Sequence, residues 1–399
     1  MNAISQPRSR PATRASLPQV VGRQVPALFA GSVHPFVKGR IRDGRWEDVL
    51  LSPVNDILGR PGKAIRAELV DAGFAVVRPC EPAPDAAVAL VEILHAGSLV
   101  IDDIEDDSKT RRGGRAIHRV HGTAKAINAG NFMYFLALQQ IEELALEPAR
   151  ELRLHRMVTR TLLDCHRGQA LDLGLRLGEV PQAEVPTVVA ETSLLKTAAL
   201  TELATGLGVL AAGGSDVQVA AMAGFGREVG LALQQLDDLG NLTGKGPPAR
   251  RYEDLRNGRL TWPWAWAAEV LHPIDYQGLE AVARALSGAQ LGLRPNARAL
   301  AEALLRVTGE HRRQVILHRL RGMLSELAAS FGGRVGIEGL GRLLTLLEDG
   351  QRSCVPSSPV KTLDQRDHEP HGKNPQSCGG YGPVNCASAL ISAGLKARS

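Results

Sequence analysis

Asp102, Asp103 and Asp106 stand in the run Leu99-Val-Ile-Asp-Asp-Ile-Glu-Asp-Asp-Ser-Lys-Thr-Arg-Arg-Gly113. On a helix, 102 and 106 are i and i+4, and 103 and 106 are i and i+3, so three carboxylates crowd one face and repel one another. Such a face calls for cations. Hard ions such as Mg²⁺ take oxygen ligands and commonly combine one or two carboxylates with substrate phosphates, so an aspartate cluster followed by Arg111 and Arg112 reads as a site for a metal-bound diphosphate. A solvated acidic helix end would have the same composition. What favours chemistry is a second copy: Leu236-Asp-Asp-Leu-Gly-Asn241 repeats the paired aspartates 135 residues later, behind another apolar helical run.

Further basic residues stand where an anionic ligand would need them. Lys63 and Arg66 follow the turn at Pro61-Gly62, His95 lies two helical turns before Asp102, and Lys196 and Lys245 belong to other segments. Each alone reads as a solvated surface charge, and the set is more specific than its parts. If the two acidic helices face each other across a bundle, Asp102, Asp103, Asp106, Asp237 and Asp238 converge on shared cations.

The elements that must position these groups read almost entirely as helix. Apolar residues recur at a spacing of 3.6 in 86–104, 124–147, 150–176, 185–212 and 216–241, and in shorter pieces through 262–350. No period-2 pattern competes. Turn signals fall at Arg60-Pro-Gly62, Gly113-Gly114, Gly213-Gly214 and Gly246-Pro-Pro248. Aromatic residues are only 4% of a chain rich in Ala, Leu, Gly and Val, which favours close-packed helices over sheet. The expected architecture is all-α: one helical domain over 41–354, built as a bundle with a central cavity. A Pro- and Arg-rich arm (1–40) and a polar Pro-, Ser- and Gly-rich tail (355–399) flank it, both expected to be disordered and dispensable.

The formal charge of +5 is misleading as a sign of nucleic-acid binding. The basic excess sits at the ends, and residues 43–354 carry 35 basic against 39 acidic side chains, which is not the footprint of a nucleic-acid binder. No uninterrupted apolar run reaches the roughly 18 residues that a membrane-crossing helix requires, so no transmembrane segment is expected. The N-terminus has no charged region followed by an apolar one, which argues against a secretory leader; its acid-free, Arg- and Ser-bearing character is shared by transit peptides and basic arms, and we read it as an arm. Five cysteines (Cys80, Cys165, Cys354, Cys378, Cys386) without metal-ligand spacing suit free thiols in a reducing, cytoplasmic setting.

The chain resembles the trans-isoprenyl diphosphate synthases, most of all the eukaryotic-type geranylgeranyl diphosphate synthases. The matching segments are Pro61-Gly-Lys-Ala-Ile-Arg66, the run from Leu94 through the first cluster to Gly113, Asn128-Ala-Gly-Asn-Phe-Met-Tyr-Phe135, Gly168-Gln-Ala-Leu-Asp172, Lys196-Thr197, Gln234 to Asn241, and Glu253-Asp-Leu-Arg-Asn-Gly-Arg-Leu-Thr-Trp-Pro263. They occur in the family's order and span roughly residues 50–350.

The resemblance implies an isoprenoid-synthase-type bundle and a homodimer acting on small diphosphate substrates. It implies an allylic diphosphate bridged by three Mg²⁺ to Asp102, Asp106 and Asp237, ionising as Lys196, Lys245 and Arg111 neutralise the leaving group. Isopentenyl diphosphate, held by Lys63, Arg66, His95 and Arg112, captures the cation; Gln234 and Thr197 match positions near the reacting carbons. Gly97 and Ser98, one turn before Asp102, would be the first floor of the product pocket, with Phe132, Met133 and Phe135 next, and small residues there imply a C20 product. Asn241 stands where many relatives have Asp, and Arg259 where Lys is usual. A class I terpene cyclase of the same fold, or a non-catalytic subunit of a heteromeric synthase, are the alternatives.

Overall fold

A computed structural model describes residues 14–29, 43–62, 64–79, 81–243, 251–287, 296–309 and 311–330. The helices are α1 (Leu17–Phe29), α2 (Asp43–Trp46), α3 (Ser52–Gly59), α4 (Ile65–Val77), α5 (Asp85–Glu105), α6 (Ile117–His121), α7 (Thr123–Glu143), α8 (Pro148–Gly174), α9 (Val185–Ser193), α10 (Ala199–Ala211), α11 (Asp216–Leu242), α12 (Glu253–Arg256), α13 (Trp262–Val270), α14 (Pro273–Ser287), α15 (Ala297–Thr308) and α16 (Arg312–Ser330). The strands β1 (Thr110–Arg111) and β2 (Gly114–Arg115) pair antiparallel, the one sheet among the described residues. The long helices begin and end within a few residues of the sequence-predicted spans. The hairpin was not expected, because two-residue strands have no period to read.

The chain divides into two compact units. The first draws its described residues from Met1–Leu173, Thr192–Leu233 and His318–Thr345, and the second from Gly174–Glu191, Gln234–Leu317 and Leu346–Ser399. The division points that lie among the described residues fall inside or at the ends of helices, so no Pro-, Gly- or Ser-rich linker marks them in the sequence.

In the first unit α5 packs against α7, and α4 against α10. Residues 87–94 of α5 are buried on every side, as befits a core helix. The α5–α7 approach depends on glycine: a Cβ on Gly97 would lie 3.0 Å from the Gly130 carbonyl oxygen and 3.1 Å from Met133 Cβ. In the second unit Trp264 and Tyr276 meet edge-on, ring centroids 5.9 Å apart, within a core that includes Val185, Leu255, Leu300 and Leu304.

One helical run, Gln182–Ala211, has the length and apolar character of a membrane span, yet 67% of its most apolar window is buried in the protein, as in a core helix.

Residues 14–29 depart from the expectation of an unstructured arm. Gln19 accepts the backbone N–H of Ser16 (2.8 Å), one half of a capping box opening α1, and Val20 and Val21 are buried. Arg14 donates through both terminal nitrogens to Asp71 (2.8 Å each) and to the Ala83 carbonyl (2.9 Å). Arg14→Ala is therefore expected to lower stability by about 1–2 kcal/mol, read as a lower urea midpoint, since a bidentate charge-assisted pair is lost. An unchanged midpoint would mean that this segment is not anchored through Arg14.

Candidate active site

The first acidic cluster sits at the end of α5, and the manner of its ending shapes the site. Ser108 N–H donates to the Asp103 carbonyl (2.9 Å) and Asp107 N–H to that of Ile104 (3.3 Å), a Schellman motif in which Asp107 takes a left-handed conformation (φ 51°). The chain then enters the hairpin, whose two-residue turn, Arg112 (φ 49°) and Gly113 (φ 77°), has the left-handed pair that tight hairpins require. Arg111 is thereby brought back over the helix end. Its Nε donates to Asp103 Oδ1 (2.8 Å) and its Nη2 to Asp102 Oδ2 (3.2 Å).

Asp102 is where the first unit's charges meet. Its Oδ1 accepts from Lys196 Nζ (3.1 Å) and from Gln169 Nε2 (3.3 Å). Burial opposes its charge, but Lys196 and Arg111 outweigh burial and hold the carboxyl below the usual range. Lys196 lies in a π-helical turn, Leu194–Ala198, the kind of local irregularity that re-aims side chains at functional sites; Thr197 is its neighbour there. Lys196 also donates to Asp172 (2.6 Å). Asp103 is fully buried and committed to Arg111 through Oδ1, while its Oδ2 has no hydrogen-bond partner. Asp106 is the half-buried C-cap of α5.

A second feature of this unit is a pair of guanidiniums, Arg66 and Arg112, gathered about His95 with little to balance them. Desolvation and the nearby guanidiniums of Arg66, Arg112 and Arg111 hold His95 well below its ordinary value, so its imidazole is neutral at neutral pH. Arg66 is lowered by burial and by Arg112, with Glu92 partly offsetting both, and its Nε is buried without a hydrogen-bond partner. Arg112 is likewise lowered, first by burial, and Glu92 again opposes the shift. Like charges crowded around one buried carboxylate form a site prepared for an anion.

In the second unit, neighbouring aspartates of α11 take opposite roles. Asp237 is exposed and Asp238 buried. Asp238 Oδ1 accepts from Gln234 Nε2 (2.8 Å) and its Oδ2 from the Trp262 backbone N–H (2.9 Å), so it serves the first turn of α13, where Thr261 gives no side-chain cap. Burial, then the charges of Asp254 and Asp237, raise Asp238 well above the usual carboxylate range. Asn241 Oδ1 is buried without a hydrogen-bond partner.

Of the sequence-predicted residues, the first unit brings together Asp102, Asp103, Arg111 and Lys196, and beside them Arg66, His95 and Arg112. Gln234, Asp237 and Asp238 belong to the second unit, and Lys63 and Lys245 lie outside the described residues. Gln169 and Asp172 were missed as site residues; their signal was position i and i+3 on one face of α8, within a segment already noted as motif-like. Gly97 faces α7, whereas Ser98, four residues before Asp102, shares its face and donates Oγ–H to the His95 carbonyl (2.9 Å). Phe135 is 70% exposed, so it is not placed to close a pocket within its own chain.

No group of three metal-binding side chains is gathered among the described residues. Mg²⁺ does not require one, since it keeps waters and binds through one or two carboxylates plus phosphate oxygens. An all-oxygen donor set, with the part-buried Asp102 and Asp106 one turn apart at the end of α5, fits such an ion.

A family model described as polyprenyl synthetase matches residues 47–288. Geranylgeranyl pyrophosphate synthase 2 of Zymoseptoria tritici is 35% identical over 229 residues, covering 54% of this chain and 64% of that protein. Geranylgeranyl pyrophosphate synthase of Mucor circinelloides is 30% identical over 228 residues, 56% of this chain and 71% of that protein. The chain thus spans less than two thirds of the first of these relatives. The crystal structure of geranylgeranyl pyrophosphate synthetase from Pyrococcus horikoshii matches 77% of this chain and 90% of its own with a TM-score of 0.63 at 21% identity, which establishes the all-α fold. With the model match covering more than half of its length, the chain belongs to the polyprenyl synthetase family.

Proposed function

We propose that this protein is a trans-prenyltransferase that joins isopentenyl diphosphate to an allylic diphosphate, farnesyl diphosphate for preference, and releases mainly a C20 product. The observation that carries this reading is the weakly compensated pair Arg66 and Arg112, with the buried Arg66 Nε unpartnered, the neutral His95 beside them and the Asp102–Arg111–Lys196 cluster as neighbour. A terpene cyclase ionises one diphosphate and needs one anion site, whereas coupling needs two. A non-catalytic subunit would be expected to have lost carboxylates of the first cluster, and Asp102, Asp103 and Asp106 are all present.

In this reading Lys196 and Arg111 donate to the departing diphosphate and disperse its charge as the allylic C–O bond breaks, assisted by Lys245. Arg66, Arg112, Lys63 and the neutral His95 hold the second diphosphate, so that its double bond meets the cation; Thr197 and Gln234 line the reacting carbons. The proton lost at the end passes to the released diphosphate, and no side-chain base is required. Mg²⁺, three ions by family resemblance, would be held by Asp102, Asp106 and Asp237 and would supply charge neutralisation of the leaving group. A homodimer and a reducing, cytoplasmic setting belong to the same reading: Phe135 and Ile127 on α7 are large apolar side chains left exposed in the single chain, as a second copy would use, and burial pushes the unbridged Cys165 thiol up to about 11. Phe135→Glu should shift the protein towards monomer in sedimentation, and an unmoved distribution would remove α7 from the interface.

The test is incubation of purified protein with Mg²⁺, isopentenyl diphosphate and each allylic diphosphate, with the products identified. Product formed without isopentenyl diphosphate would favour a cyclase, and none under any condition a partner subunit.

Product length adds a sharper expectation. One helical turn rises about 5.4 Å, close to one extended isoprene unit, so a bulky residue one turn before Asp102 should end growth early. Ser98→Phe is expected to move the product from C20 towards C15 with Mg²⁺ dependence intact. Gly97→Phe should instead fail to fold, because even its Cβ meets α7. An unchanged product from a folded, active Ser98→Phe enzyme would place the pocket floor elsewhere.

A further inference from the structure

The hairpin that carries Arg111 and Arg112 is too short to hold itself. Two residues per strand make a ribbon that is marginal in water, and its turn keeps Arg112, a non-glycine residue, in the left-handed region. Arg111 is tied down by its own side chain through Asp102 and Asp103. Arg112 is not: among the described residues its guanidinium makes one long hydrogen bond, 3.5 Å to the Ile57 carbonyl, and otherwise lies over Gly62. Where Arg112 points is therefore set by its backbone.

That backbone is held from α3. Arg60 Nη1 donates to the Arg111 carbonyl (2.9 Å) and to the Arg115 carbonyl (2.8 Å), one on each strand, either side of the turn. Its guanidinium lies across β2 where Gly114 has no side chain; a Cβ there would be 3.1 Å from Arg60 Cζ. Arg60 Nε in turn donates to Asp56 Oδ1 (2.9 Å), one helical turn earlier, and Asp56 Oδ2 meets His121 Nε2 (2.9 Å) on α6, just beyond the hairpin. The Arg60 side chain is only 12% exposed, which separates this network from the solvated surface pairs that hold nothing in place.

We propose that Arg60, oriented by Asp56 and His121, is a positioning residue that clamps the hairpin so that Arg112 is presented to the second diphosphate. This rests on the reading that Arg112 binds isopentenyl diphosphate. Neither Arg60 nor Asp56 touches substrate in this scheme. Their loss frees the turn while leaving Arg111 bound to its aspartates, so the defect falls on one substrate.

Steady-state kinetics of the full-length protein provide the test. Arg60→Ala should raise KM for isopentenyl diphosphate about 10-fold, the size of one lost charged contact, with kcat, KM for the allylic diphosphate and the Mg²⁺ requirement within about two-fold of the parent. Arg60→Lys should recover part of the loss, since an ammonium still donates to the two carbonyls. Arg60→Ala combined with Arg112→Ala should be no worse in that KM than Arg112→Ala alone. A merely structural role would lower kcat through the active fraction and leave both KM values unmoved, which overturns the proposal. If Arg112→Ala raises KM for isopentenyl diphosphate and Arg60→Ala does not, the clamp is wrong and the diphosphate reading stands; if Arg112→Ala leaves that KM unchanged, both fall. Should Arg60→Ala not fold, Asp56→Ala, which only loosens the guanidinium, decides by the same KM.

Discussion

Replacing Asp102 by alanine is expected to lower kcat by about 10³-fold, the scale on which removal of a preorganised electrostatic partner acts in an active site. Its carboxylate accepts from Lys196, Gln169 and Arg111 at once. The substitution removes a proposed metal ligand and also releases the two cations proposed to receive the leaving diphosphate. Asp103→Ala should act differently: Asp103 holds Arg111 rather than facing substrate, so its variant should bind Mg²⁺ normally while turning over slowly. Titrating activity with Mg²⁺ in both variants separates the two roles. An Asp102→Ala enzyme within ten-fold of the parent would remove the first cluster from the chemistry.

The second large effect is expected from Asp237→Ala, a loss of about 10²–10³-fold in kcat with a raised Mg²⁺ requirement, while its neighbour should behave otherwise. Asp237 is exposed at its helix surface and available to a ligand. Asp238 has both oxygens engaged, by Gln234 and by the first N–H of α13, so Asp238→Ala should cost about 1–2 kcal/mol of stability, seen as a lower unfolding midpoint. Asn241→Asp should be tolerated, with a lowered Mg²⁺ requirement as its reading, because it adds an oxygen ligand four residues after Asp237 at the end of the second cluster. Equal catalytic defects for Asp237→Ala and Asp238→Ala, with unchanged midpoints, would contradict this division of labour.

Most of the fold was legible in the sequence because helix is a local property. The 3.6-residue apolar spacing that predicted 86–104 and 216–241 is the same regularity that buries one side of α11 and of the C-terminal half of α5. Helix α1 escaped notice because its signal is short: Ser16, Gln19 and two adjacent valines within a basic, Pro-bearing stretch. The hairpin escaped because a two-residue strand has no alternation.

The sequence alone determined the all-α class, the crowding of Asp102, Asp103 and Asp106 on one helix end, and the supply of cations for an anionic ligand, since each follows from residue type and spacing along the chain. Only the tertiary structure decided which carboxylates are spent and which are free to act. Asp103 is taken by Arg111 and Asp238 by the start of α13, while Asp102 collects Lys196 from 94 residues away and Gln169 from 67. Likewise, Gly97 and Ser98 are adjacent and both small, yet 100° of helical rotation turns one into a close packing contact and leaves the other on the face of Asp102. The physical reason is common to all of these: a side chain's chemistry depends on the charges and atoms within a few ångströms of it, and those neighbours are chosen by packing between elements far apart in the chain.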